Sequence, residues 1–327
     1  MEQELALEMV RITEAAAFAS AALSGRGDKH EADRVAVEAM RATMDTVAID
    51  GRIVIGEGER DEAPMLFIGE RVGKGSRGVA GLPEIDIAVD PLEGTNLCAH
   101  DQPNSICVLA ASARGGLLHA PDTYLEKLCV PPAAAGNVDI RLSPTENLNR
   151  IAESLSLKVT DLHVIILDRD RHQPLITEVL AAGARVRLIT DGDLSGAIRV
   201  ATPGTGFHAV MGIGGAPEGV LAAAALRCLG AEIQARLRFR NQEERERSAA
   251  MGHPSEERIY KTADLASGEN IVFAATGVTD GDVLRGVAKF EGGVRLNSIV
   301  MTYKTKEVRF VDSIQMTERA GWQRVQF

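Results

Sequence analysis

The sequence predicts an α/β protein, and three observations carry that expectation. Residues 164–167 are a short apolar run, residues 173–182 follow with helical character as far as Gly183, and residues 186–189 are a second apolar run. Strand, helix and strand in that order make a βαβ unit with a parallel pair. Composition agrees: 45% of residues are apolar, only 4% are aromatic, and 32 glycines supply turns. At 327 residues the chain exceeds the usual single core, so two domains or one large α/β body is expected. A proline- and alanine-rich stretch at 130–136 marks the division, giving an N-terminal part, 1–135, with most of the candidate ligands, and a C-terminal α/β part, 136–327.

In chain order, residues 2–22 form an amphipathic helix ended by Ser24-Gly25-Arg26-Gly27, and residues 32–44 a second helix. Residues 52–55 are a short strand running into Gly56-Glu57-Gly58-Glu59. Residues 61–69 read as helical, with Pro64 in the first turn. Residues 85–90 alternate Ile85, Ile87 and Val89 with Asp86 and Ala88, as on a half-buried strand. Asp90 ends that strand, because Pro91 has no N–H for the ladder. A helix or turn follows Thr95, then a strand at 105–112, and Gly115-Gly116 turns a hairpin back through 117–119. Later, 209–213 and 217–229 repeat strand and helix, and 271–275 adds a strand. Residues 240–258 read as a charged, solvated face or loop.

Residues 90–95 concentrate the chemistry. Asp90 and Glu93 lie three apart on a turn at a strand end, so both carboxylates can face one point, as a hard cation such as Mg²⁺ or Mn²⁺ requires. Gly94 allows close backbone approach, and Thr95 offers a hydroxyl. Glu57 sits at another strand end and reads as a second arm of the same cluster. Asp61 either orients a water or caps a helix. Asp33 is open between a ligand and a partner of Thr95, and Lys29 is a candidate phosphate contact, with plain helix capping an equal alternative for this segment. Gly212-Ile213-Gly214-Gly215 leaves a strand for a helix that opens with Glu218. Its third glycine is misplaced for a dinucleotide fingerprint, whereas a glycine-rich approach and a carboxylate suit a metal and a sugar. Arg169 and Arg171, flanking Asp170, can clamp a phosphate. Asp191-Gly192-Asp193 can bind sugar hydroxyls, but with Leu194-Ser195 it also mimics the start of an aspartyl-phosphate phosphatase with Asp191 as nucleophile. Tyr124 is either a substrate-facing phenol or a core residue.

A formal charge of −10 argues against nucleic acid or an anionic membrane as the main partner. No run approaches the ~20 apolar residues of a membrane span, and the N-terminus lacks a basic secretory region. The four cysteines form no metal-type pair. These features read as cytoplasmic.

Together the motifs Gly25–Lys29 with Ala32-Asp33, residues 53–66, 86–95, 120–128, 191–193 and 212–220 resemble the class II fructose-1,6-bisphosphatases of the inositol-monophosphatase-like phosphatase superfamily. Residues 131–140 and 183–193 are similar to the cyanobacterial branch that also hydrolyses sedoheptulose 1,7-bisphosphate. The resemblance implies a layered αβαβα sandwich of the sugar-phosphatase type. It implies Mg²⁺ or Mn²⁺ held by Asp33, Glu57, Asp90, Glu93 and Glu218; on that basis the expected catalytic residues are Thr95, oriented by Asp33 or Asp61, and Glu57, by direct attack of an activated water. Substrate contacts are implied at Glu93, Gly94, Thr95, Tyr124, Arg169, Asp170, Arg171, Asp191, Gly192, Asp193 and Gly215. It further implies release of the 1-phosphate of a sugar bisphosphate, in gluconeogenesis or the Calvin cycle, by a homodimer or homotetramer. Asp170 departs from the family, where proline is common. Three alternatives stand beside this reading: an inositol-monophosphatase-like enzyme with another substrate, the aspartyl-phosphate route, and a non-catalytic sugar-phosphate sensor.

Overall fold

The structure is a computed structural model that describes residues 2–58, 65–253 and 255–316. The elements begin with α1 (Glu2–Ala21), α2 (Lys29–Met44), β1 (Asp50–Ile55), β2 (Arg71–Val72), β3 (Glu84–Glu93), α3 (Thr95–Ala99), β4 (Ile106–Ala113) and β5 (Tyr124–Val130). There follow α4 (Pro144–Leu155), β6 (His163–Leu167), α5 (Gln173–Ala181), β7 (Arg185–Ile189), α6 (Asp193–Ala201), β8 (Ala209–Gly215), α7 (Ala216–Leu229) and β9 (Glu232–Arg238). The chain continues with α8 (Gln242–Ala250), β10 (Tyr260–Lys261), α9 (Thr262–Leu265), β11 (Ile271–Gly277), β12 (Ala288–Phe290), β13 (Gly293–Thr302) and β14 (Glu307–Met316).

Two mixed sheets result. The first runs β12-β13-β11-β4-β3-β1-β2, with β14 on the far side of β13; the second runs β10-β9-β5-β8-β6-β7. The anticipated βαβ unit is present, with β6 parallel to β7. Three apolar clusters stack the layers. Met9, Ile12, Met40 and Met44 of α1 and α2 pack on Ile53, Ile85, Ile87 and Leu109 of the first sheet. The opposite face of that sheet and the inner face of the second enclose α6 and α7, through Val108, Phe273, Ile198, Leu221, Leu125 and Ile233. Leu148, Ile151, Ile176 and Val179 of α4 and α5 then cover the outer face of the second sheet. The order is helix, sheet, helix, sheet, helix: the five-layered sandwich. Because α7 is sandwiched, it is apolar nearly all round, and residues 222–225 are four alanines, all 0% exposed. Small side chains let two sheets approach one helix. Among the described residues no helix is long and apolar enough to cross a membrane.

Several local expectations need correction. β3 does not stop at Asp90 but runs to Glu93, through a bulge where its register with β4 shifts between Asp90 and Glu93. Pro91 lacks a ladder N–H, and Leu92 N–H turns to the Asp90 carboxylate at 3.1 Å, so the strand bends there without ending. Residues 117–119 form no returning strand; Leu118 N–H bonds to Leu265 O at 2.9 Å and the chain crosses to the second sheet. Of the helix expected at 61–69, residues 61–64 lie outside the described residues and 65–69 form bends and turns. The charged segment after residue 240 contains α8, capped by the Asn241 side chain, with Glu244 only 3% exposed. In chain order, β5 belongs to the second sheet and β11–β14 return to the first.

Candidate active site

Separate elements deliver carboxylates to one cavity of about 420 Å³. Its lining includes Lys29 and Asp33 of α2, Glu57 after β1, Asp90 and Glu93 of β3, Gly94, Thr95, Asp191, and Glu218 of α7. The β3 bulge is what presents Asp90 and Glu93 together. Gly94 caps α3 at φ 77°, a left-handed conformation, and a Cβ there would lie 2.9 Å from Leu97 Cδ1. Thr95 is thereby the first residue of α3, beside Glu93. Glu93 is 5% exposed, and one of its oxygens accepts the Leu194 N–H at 3.0 Å, which ties β3 to α6.

The carboxylates are costly as they stand. Burial, then repulsion from Asp33, Asp90 and Glu218, pushes Glu57 up to about 8. Burial, with Glu218 and Asp33 adding to it, pushes Asp90 up to about 7. Glu93, Asp33 and Glu218 are raised as well, each mainly by burial. Glu218 Oε2 is buried without a hydrogen-bond partner, and a Cβ on Gly215 would collide with that carboxylate. Among the described residues no three Asp, Glu, His or Cys side chains close on one point as a finished metal cage. Crowded acids with an orphaned oxygen nevertheless suit divalent cations, which reverse the local charge.

The remaining anticipated residues divide. Asp191 lines the cavity and accepts the Asn96 amide at 3.2 Å and the Gly192 N–H at 3.2 Å. Asp193, by contrast, is buried beneath it, paired with Lys127 at 2.7 Å. Burial alone would lower the Lys127 ammonium, but Asp193 and Glu218 overcome that and raise it. The sequence reading missed Lys127, whose only signal is a lysine amid the apolar run of β5. Tyr124 pairs with Gly215 across β5 and β8 and is flanked by the guanidinium carbons of Arg171 at 4.8 Å and Arg240 at 4.9 Å. Arg240 was also unforeseen; Glu244 anchors it. Arg171 donates to Ile213 O at 2.7 Å. Arg169 instead braces the backbone, donating to Asp168 O and Thr190 O at 2.8 Å each, and Asp170 is exposed on a 3₁₀ turn. Asp61 lies outside the described residues.

A layered α/β sandwich with acids gathered at the β3 bulge is a fold and site suited to phosphate esters. The profile described as bacterial fructose-1,6-bisphosphatase, glpX-encoded, matches residues 3–315. A protein of Synechococcus elongatus is 52% identical over 97% of both chains, and one of Crocosphaera subtropica is 51% identical over 98% of both. A Synechocystis protein is 50% identical over 97% of this chain and 98% of its own. All three are called D-fructose 1,6-bisphosphatase class 2/sedoheptulose 1,7-bisphosphatase. The chain belongs to the glpX-encoded bacterial fructose-1,6-bisphosphatase family.

Proposed function

We propose that this protein hydrolyses the 1-phosphate of fructose 1,6-bisphosphate, giving fructose 6-phosphate and phosphate, and acts in the same way on sedoheptulose 1,7-bisphosphate. Family membership sets the substrate class, and the observation that carries the reading is the convergence of Asp33, Glu57, Asp90, Glu93 and Glu218 on one cavity beside Thr95. These five would hold Mg²⁺ or Mn²⁺. Bound there, the ions would supply positive charge to the phosphate and lower the pKa of a water.

The chain's own groups do the positioning. Glu93, fixed by Leu194 N–H, and Asp90, fixed by Leu92 N–H, hold the acidic rim in place. Thr95 offers its hydroxyl to the reacting phosphate, with Asp33 on the facing helix and Asp61 as a further orienting carboxylate. Lys29 approaches the same phosphate from the cavity mouth. Asp191 and the backbone at Gly192 and Gly215 take the sugar, and Tyr124 with Arg171 takes the distal phosphate. The uncatalysed hydrolysis is among the slowest known, so positioning and charge neutralisation must supply on the order of 20 kcal/mol. The proposed setting is cytoplasmic carbohydrate metabolism, with the protein a homo-oligomer.

Phosphate release from fructose 1,6-bisphosphate, sedoheptulose 1,7-bisphosphate and inositol 1-phosphate, with Mg²⁺ or Mn²⁺, tests the reading. The two bisphosphates are expected to turn over and inositol 1-phosphate to lag far behind. The opposite order, or a phosphorylated Asp191 trapped during turnover, overturns it.

A further inference from the structure

The described residues include eleven large apolar side chains that are exposed, and five of them lie together: Phe290 at 45%, Val308 at 43%, Phe310 at 57%, Ile314 at 61% and Met316 at 56%. Among the described residues β14 pairs only with β13, and none of them covers its other edge along ten residues. Val308 and Phe310 stand opposite Met301 and Ile299, which are buried on the inner face of the first sheet. The even-numbered residues of β14 therefore continue that inner face beyond the cover of α7. Met316 and Phe290 flank Gly293 from either side and extend the same row. The strand carries no proline or lysine, and its charges are Glu307 and Arg309, paired with each other, and Asp312 in the middle of the apolar row.

The pattern is self-complementary. In an antiparallel pair about a two-fold axis, opposed residues share a face. An axis at Asp312 sets Phe310 against Ile314 of the second copy and Val308 against Met316. An axis at Phe310 would set Val308 against Asp312, and one at Ile314 would set Asp312 against Met316. Of these three centres, only the one at Asp312 sets every apolar residue of the row against another apolar residue. The two carboxylates that then face each other are already compensated: each accepts from Asn297 at 2.9 Å and has Arg295 at 3.3 Å and Arg285 at 3.5 Å.

We propose that β14 is a self-association edge, on which a second copy of this chain pairs β14 against β14 about a two-fold axis at Asp312, joining two first sheets into one. The test is the mass in solution of four full-fold proteins: wild type, the double variant Phe310→Glu/Ile314→Glu, Asp312→Cys, and a chain lacking 317–327. The double variant changes only exposed side chains, and circular dichroism checks its fold. It is expected to halve the mass of the wild-type assembly. Asp312→Cys is expected to give a disulfide-linked dimer under mild oxidation, because opposed residues stand about 4.5–5.5 Å apart. A folded double variant of wild-type mass, or no cross-link at Asp312→Cys, overturns the proposal. So does a larger assembly on deletion of 317–327, which would make the chain's own tail the occupant of the edge.

Discussion

At the residue scale, the five cavity carboxylates are held at a cost to stability. Each is raised from its ordinary value by burial, and Glu57 and Asp90 also by neighbouring acids. Neutral replacement should remove repulsion along with function. Glu57→Gln is expected to lose at least ~10³-fold in turnover, while its thermal midpoint at pH 8 without added metal equals or exceeds that of wild type. A lower midpoint would mean that the carboxylate is structural. Lys127 makes the opposite case. Its pair with Asp193 is buried on both sides, so Lys127→Met strands a charge and is expected to cost about 3–5 kcal/mol in denaturant unfolding, against ~0.2–1 kcal/mol for an exposed pair such as Arg11–Glu8. Lys127→Met with Asp193→Leu should recover much of that loss. At this scale the acids were legible because motif and chemistry coincide. Lys127 was not, because pairing across sheet and helix leaves no local pattern.

At the element scale, the turn after β6 is tied to β8 by one imidazole. His172 Nδ1 lies 2.7 Å from Leu167 O, and Nε2 accepts the Ile213 N–H at 2.8 Å, so the neutral ring serves both bonds. Burial, with Arg171 and Arg169 nearby, lowers His172 below its ordinary 6.5. A histidine lowered in the folded state takes up its proton more readily unfolded. The stability it contributes is therefore present above about 6.5 and is lost as pH falls through that value toward the folded one. His172→Gln is expected to tilt the unfolding midpoint between pH 7.5 and 5.5 toward greater relative stability at the acid end; His208 and His253 act in the same sense as His172, and the raised Glu57 and Asp90 in the opposite one. An unchanged pH slope would contradict this. Gly215 belongs at this scale too: it ends β8 with its Cα against Glu218, so Gly215→Ala is expected to reduce turnover sharply while β8 still forms. Most strands and helices were legible from apolar runs and stops. The β3 bulge was not, because Asp-Pro reads locally as a stop and only pairing with β4 carries the strand on. α4 was overlooked, although Ser143 and Glu146 form a capping box.

For the whole molecule, the βαβ pattern indicated an α/β body, and the family resemblance supplied the five layers. What neither periodicity nor composition conveyed is the return of β11–β14 to the first sheet, since long-range pairing leaves no trace in a window of neighbours. That return closes the molecule around α6 and α7 and fixes the β3 bulge against the start of α7, where Glu218 meets the other acids. The most direct measurement of the central claim is phosphate release from fructose 1,6-bisphosphate by wild type and Glu93→Gln at saturating Mn²⁺, with unfolding midpoints recorded for both. Wild type is expected to release one phosphate per sugar, and a fully folded Glu93→Gln protein none detectable. Near wild-type turnover by Glu93→Gln would contradict the claim.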